Sequence, residues 1–140
     1  MAKKIFLDAN VIISVVNKEY PLFPFSSRIL SLTGKWNFEL TTSPLCLAIA
    51  FYFAEKKHQS ELAKSKIKLL SEHISVTENS SSSVQKALDD PRVLDFEDGL
   101  QYYSAVENKT DVIVTENVRD FYFAEIEVLN SLDFCKKYLF

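Results

Sequence analysis

Two glycines, two cysteines, two histidines, four prolines and one tryptophan are all that this 140-residue chain holds of the residues that most often punctuate or crosslink a fold. Gly34 and Gly99 cannot build a glycine-rich phosphate loop. Cys46 and Cys135 each lie in an apolar, helical-looking stretch with no Cys or His beside them, which indicates neither a disulfide nor a zinc knuckle and leaves buried free thiols in a reducing compartment. His58 and His73 are too isolated for a His-based site, and His58, after two lysines, reads as a helix-surface residue. No serine sits in a nucleophile elbow. Positive charge is also short. Arg28, Arg92 and Arg119 are the only guanidinium groups and the net charge is −3, which argues against a protein that coats nucleic acid through clustered cations but not against one that cuts it at an acidic, cation-loaded site. The most apolar run, Pro44 to Ala54, falls far below the roughly 20 residues of a bilayer span, and Asp8 and Asn10 interrupt the start that a signal peptide would need. A soluble, cytoplasmic protein with no membrane segment is expected.

What the chain has is apolar bulk: 11 Phe, 6 Tyr and 47% hydrophobic residues, enough for one packed core, so residues 1–140 are expected to form a single domain. Lys3 to Leu7 reads as a short buried strand that stops at Asp8, and Asn10 reads as the N-cap of a helix to about Val16. Pro21 and Pro24 then break the chain before a helix opening at Ser27. WNFELTT reads as a second strand, Ser43 and Pro44 as the cap and first turn of a helix to about Lys57, and residues 60–72 as an amphipathic helix. Ile74–Thr77 is a third strand. The serine-rich run Asn79–Ser83 reads as a solvated loop before a helix from about Val84. Asp95 caps a helix to about Asn108, Asp111–Thr115 is a β-branched strand, and the remainder supplies a last short strand and helix. Strands alternating with helices predict a three-layer α/β/α sandwich around a mostly parallel sheet.

In such sheets, sites form beyond the carboxyl ends of the strands. The first strand ends in LDAN, giving Asp8 and Asn10. The strand DVIVT ends in ENVRDF, giving Glu116, Asn117 and Asp120, and DFED places Asp95 and Asp98 one helical turn apart. Each aspartate alone is explained by capping, Asp95 above all. Together they are a surplus of negative charge that needs a cation, and all-oxygen ligands select Mg²⁺ or Mn²⁺.

KIFLDANVIIS, TTSPLCLAIAFYFAEKK, DFEDGLQYYSAVENKTDVIVTEN and RDF, in this order along nearly the whole chain, resemble the PIN-domain family, especially its small toxin-type (VapC-like) members. The resemblance implies a metal-dependent endoribonuclease that hydrolyses RNA with a metal-activated water and serves as the toxin of a toxin–antitoxin pair, with an antitoxin protein as partner. By motif it assigns Asp8, Asp98 and Asp120 as ligands of Mg²⁺ or Mn²⁺, Asn117 as a further catalytic residue, and Asn10 and Thr115 as support, to which the reading of DFED adds Asp95. Two departures accompany it. The glutamate that active members carry after the second strand falls on Ile49, with Glu55 six positions on and nearly two turns away. The arginine commonly present in the last motif is replaced by Glu116, leaving Arg119 as the candidate phosphate-binding residue.

A competing expectation is therefore a catalytically degenerate PIN domain that binds RNA or a protein. A phosphoryl-transfer domain of receiver type shares the strand-terminal aspartate but requires a lysine and a second aspartate that no strand end here provides. LCLAIAFYF, apolar around most of its circumference, and PLFPF together predict a homodimer.

Overall fold

A computed structural model describes residues 2–35 and 37–140. In chain order they form β1 (Lys3–Leu7), α1 (Ala9–Val16), α2 (Phe23–Leu30), β2 (Phe38–Thr42), α3 (Pro44–Lys57), α4 (Ser60–Ser71), β3 (Ser75–Val76), α5 (Ser81–Asp89), α6 (Phe96–Glu107), β4 (Val112–Val114), a 3-10 turn (Val118–Phe121), β5 (Glu127–Leu129) and α7 (Ser131–Tyr138). The five strands are parallel and ordered β3-β2-β1-β4-β5, with helices over both faces in three layers. The chain reverses direction across the sheet at β1, which puts the carboxyl ends of β1 and β4 side by side: Leu7 pairs with Val114, and the Asp8 N–H donates to the Val114 carbonyl at 3.0 Å.

The central strands are apolar on both faces because both faces are covered. Ile5, Phe6, Leu7, Val112, Ile113 and Val114 are all fully buried, and they join Ile12 and Phe134 in one continuous core. Cys46 and Cys135 are free and buried, as the sequence indicates. Among the described residues no helix is long and apolar enough to cross a membrane.

Several local expectations are corrected. Asp8, not Asn10, caps α1, its carboxylate accepting from the Ala9 N–H. Asn10 lies inside the helix and is spent elsewhere. The second helix starts at Phe23 rather than Ser27, because Pro24 occupies its first turn, where a missing N–H costs nothing. The third strand shrinks to Ser75–Val76. Ser80 caps α5 and Ser81–Ser83 form its first turn, so the serine run is mostly helix. His58 closes α3 as a half-buried C-cap rather than lying on its surface. The Trp36 end of the second-strand expectation lies outside the described residues.

Gly99 is where α6 meets α5. A Cβ there would stand 2.6 Å from Val93 Cγ1 and 3.1 Å from Ala87 Cβ, closer than packed carbons approach. Alanine would gain about 1 kcal/mol in helix propensity, but forced overpacking costs about 1–3 kcal/mol. Gly99→Ala is accordingly expected to lower the thermal midpoint; an unchanged or higher midpoint would show that the Val93 loop simply gives way.

Candidate functional site

Asp8 stands at the carboxyl end of β1, 6% exposed. Its Oδ1 accepts from the Ala9 N–H at 2.7 Å and its Oδ2 from the Thr115 hydroxyl at 2.7 Å, while Asn10 Nδ2 lies 3.5 Å and the Cys46 thiol 3.8 Å from the two oxygens. Asn10 also ties the two strand ends together: its Nδ2 donates to Thr115 Oγ1 at 3.2 Å and its Oδ1 accepts from the Glu116 N–H at 3.1 Å. The Asn117 N–H donates to the same Thr115 oxygen at 3.1 Å. Thr115 is thus a buried hub beneath the site, and Asn10 reaches it through the parallel pairing of β1 with β4.

Asp8, Asp98 and Asp120 open onto one cleft of about 390 Å³ at this sheet edge, with Asp95, Asn10 and Asn117 also on its wall. Asp98 comes from the first turn of α6, its N–H held by the Asp95 carboxylate at 3.1 Å. Asp120 comes from the 3-10 turn. Ile13, Ile49 and Phe53 make the apolar side. Ile49 therefore faces the carboxylates, and the position that the resemblance assigns to a glutamate carries no donor.

Burial and mutual repulsion mark the cluster. Desolvation first, then the charges of Asp95, Asp120, Asp8 and Glu97, push the Asp98 carboxyl up to about 7. Burial likewise raises Asp8, outweighing its hydrogen bonds from Thr115 and Ala9, and raises Glu97. Burial beside Asp8 pushes the Cys46 thiol up to about 12, so it remains a protonated donor. Among the described residues no group of three His, Cys, Asp or Glu side chains is placed to hold a metal ion. The donor set nonetheless suits a hard cation that keeps most of its waters: carboxylates repelling one another on one wall, and a buried amide oxygen, Gln101 Oε1, with no hydrogen-bond partner.

Two expected residues stand apart. Arg119 is exposed and does not line the cleft, and Glu116 turns away, its Oε2 accepting from the Ser131 N–H at 3.0 Å and the Ser131 hydroxyl at 2.6 Å at the start of α7. Glu97, Gln101, Phe53 and Cys46 were not legible as site residues. The one available signal was the spacing of Gln101, three residues after Asp98, which sets both on one helix face. A cleft of about 490 Å³ between α1, α2 and α4 is more apolar and holds no such cluster; His73 is its single titratable group besides Lys66.

The raised Asp98 has a measurable consequence. A carboxyl whose folded pKa exceeds its unfolded value contributes stability that is fully present below the unfolded pKa and lost as pH rises through the folded one, here about 7. In chelator, Asp98→Asn is therefore expected to melt above wild type at about pH 8, with the difference closing towards about pH 4. A constant difference across that window would remove the repulsion argument.

A family model described as PIN domain matches residues 4–119. Ribonuclease VapC1 of Aquifex aeolicus (strain VF5) is 27% identical over 141 residues, spanning 98% of this chain and 96% of the relative. The structure of VapBC-1 from nontypeable Haemophilus influenzae superposes with a TM-score of 0.71 at 20% identity, covering 92% of this chain and 98% of that one. A toxin–antitoxin complex from Klebsiella pneumoniae gives 0.65 at 15% identity, covering 84% and 90%.

Proposed function

Because the chain belongs to the PIN-domain family, we propose that it is a divalent-cation-dependent endoribonuclease and the toxin of a toxin–antitoxin pair. The observation that carries this reading is the convergence of Asp8, Asp98 and Asp120, from three separate segments, on one cleft at the carboxyl edge of the sheet. The similarity to a ribonuclease along nearly its full length supports RNA as substrate, and the likeness of fold to a protein in a toxin–antitoxin complex supports an antitoxin as partner.

Asp8, Asp98 and Asp120 would hold Mg²⁺ or Mn²⁺. When bound, the cation supplies Lewis-acid stabilisation of charge developing on a phosphodiester oxygen and lowers the pKa of water. The rest falls to the chain. Asp8 is held in place by the Ala9 N–H on one oxygen and the Thr115 hydroxyl on the other, with Asn10 and the Cys46 thiol at longer range. Asp98, partly protonated near neutrality, releases that proton when a cation takes its place, which makes binding weaker at acidic pH. Asn117 offers an uncharged polar group at the rim, and Ile13, Ile49 and Phe53 keep water from one side of the cleft.

Incubation of the purified protein with single-stranded RNA tests the reading: cleavage is expected with Mn²⁺ and none with chelator. A specific observation favours a second reading, a degenerate module that binds RNA or protein without cutting. Ile49 lies on the cleft wall and Glu116 is held by Ser131, so neither serves as a ligand or a phosphate contact. RNA binding that persists with no cleavage under any divalent cation would decide for it.

The cytoplasm, where RNA is the accessible polymer, is the proposed location, and a homodimer the proposed assembly. Cys46, Ala50 and Ala54 of α3 are buried, while Tyr52 and Phe53 remain 54% and 43% exposed, large rings on a helix that a second copy would cover. Light scattering checks this; a monomeric mass that persists as concentration rises sinks the dimer.

A further inference from the structure

We propose that Gln101 supplies a neutral oxygen ligand to the cation held by Asp8, Asp98 and Asp120, in place of the carboxylate that Ile49 cannot provide. This rests on the functional reading above. Gln101 lies on α6, three residues after Asp98, so its side chain leaves the same face of the helix one turn further in. It is 2% exposed, lines the cleft with the three aspartates, and its Oε1 finds no donor among the described residues. A buried amide oxygen left without a partner is unfavourable. Asp8 and Asn10 on the same wall are engaged, Asp8 by Ala9 and Thr115 and Asn10 by Thr115 and Glu116.

The chemistry of the cleft explains why an amide stands there. Carbonyl oxygens are hard donors of the kind that Mg²⁺, Mn²⁺ and Ca²⁺ accept alongside carboxylates. Asp95 and Glu97 already line the cleft beside the three aspartates and add negative charge there. A fourth carboxylate ligand would deepen the repulsion, whereas an amide adds an oxygen and no charge. The terminal torsion of glutamine is broad and two-fold, so turning the amide about it would exchange the enclosed, unpartnered Oε1 with Nε2 and offer the oxygen to the cation.

Calorimetric titration with Mn²⁺ tests the assignment in wild type, Gln101→Leu and Gln101→Glu, with melting curves in chelator and the water-proton relaxation of bound Mn²⁺ recorded beside it. Gln101→Leu is expected to weaken Mn²⁺ binding about tenfold or more, to melt at or above wild type, and to show one additional fast-exchanging water on the ion. Gln101→Glu is expected to tighten binding and to lower the melting temperature in chelator. Should leucine not pack, Gln101→Met keeps the length and removes the oxygen. Equal affinity and equal hydration in wild type and the apolar variants would overturn the Gln101 assignment and leave the cation reading standing. A wild type that binds no Mn²⁺ overturns that reading, and this assignment with it.

Discussion

Asp98→Ala is expected to lower Mn²⁺-dependent RNA cleavage by at least about a hundredfold, given that even residues that merely orient metal ligands are worth about 10–100-fold. The fold should survive. Asp98 lies half-buried in the first turn of α6, where alanine is a good helix former, and what holds that turn is the Asp95 carboxylate on the Asp98 backbone N–H, which alanine retains. A negative charge at a helix N-terminus is favourable by less than about 1 kcal/mol at an exposed site. Against that stand burial and the facing charges of Asp95, Asp120 and Asp8. The variant should therefore melt higher than wild type at neutral pH in chelator, while wild type alone gains stability when Mn²⁺ is added. Activity and metal-free stability moving in opposite directions is the signature of a functional carboxylate; a structural cap would lose both. Cleavage within a few fold of wild type would remove Asp98 from the site. Asp8→Asn makes the companion test: its amide oxygen still meets the Ala9 N–H, while the charge and the acceptor that Oδ2 offers the Thr115 hydroxyl are lost.

The sheet edge was legible because the chain changes character there abruptly. Ile5, Phe6 and Leu7 can only be an interior strand, so Asp8 had to stand at its end, and DVIVT made the same argument for Thr115. Ser43 and Asp95 announced their helices as caps and both perform that role. Contacts that depend on which strands become neighbours left no such trace. Asn10 was read as a cap from its local sequence, yet its partners Thr115 and Glu116 lie on the far side of the β1–β4 pairing. Glu116 drew attention as a lost arginine, while its partner, Ser131, belongs to the last helix. Gln101 leaves no sign of its burial in the sequence, since spacing reveals a shared face and not whether that face is buried. Pro24 misled in the other direction: a proline reads as a breaker until the helix is known to begin just before it.

Ile49→Glu is the variant expected to increase activity, by about tenfold if the added ligand is worth roughly 1.4 kcal/mol in cation affinity. Ile49 already shares the cleft with Asp8 and Asp98 from the first half of α3, so a longer carboxylate there is placed to enter the same cluster. Its cost is equally predictable. The side chain is half-buried between Ile13 and Phe53, and an ionised carboxylate in that wall is both desolvated and repelled. In chelator the variant should melt below wild type at neutral pH and recover at acidic pH, where the new group is protonated. Saturating Mn²⁺ should reverse the order, because ligand at about 100 times its Kd adds about 2.7 kcal/mol to the folded state, and the variant binds more tightly. Melting curves at two pH values with and without Mn²⁺, run beside the RNA assay, separate the possibilities. A variant that is destabilised equally in chelator and in Mn²⁺ would show that the ion does not reach α3, and Ile49 would then be part of an apolar wall with no bearing on cation affinity.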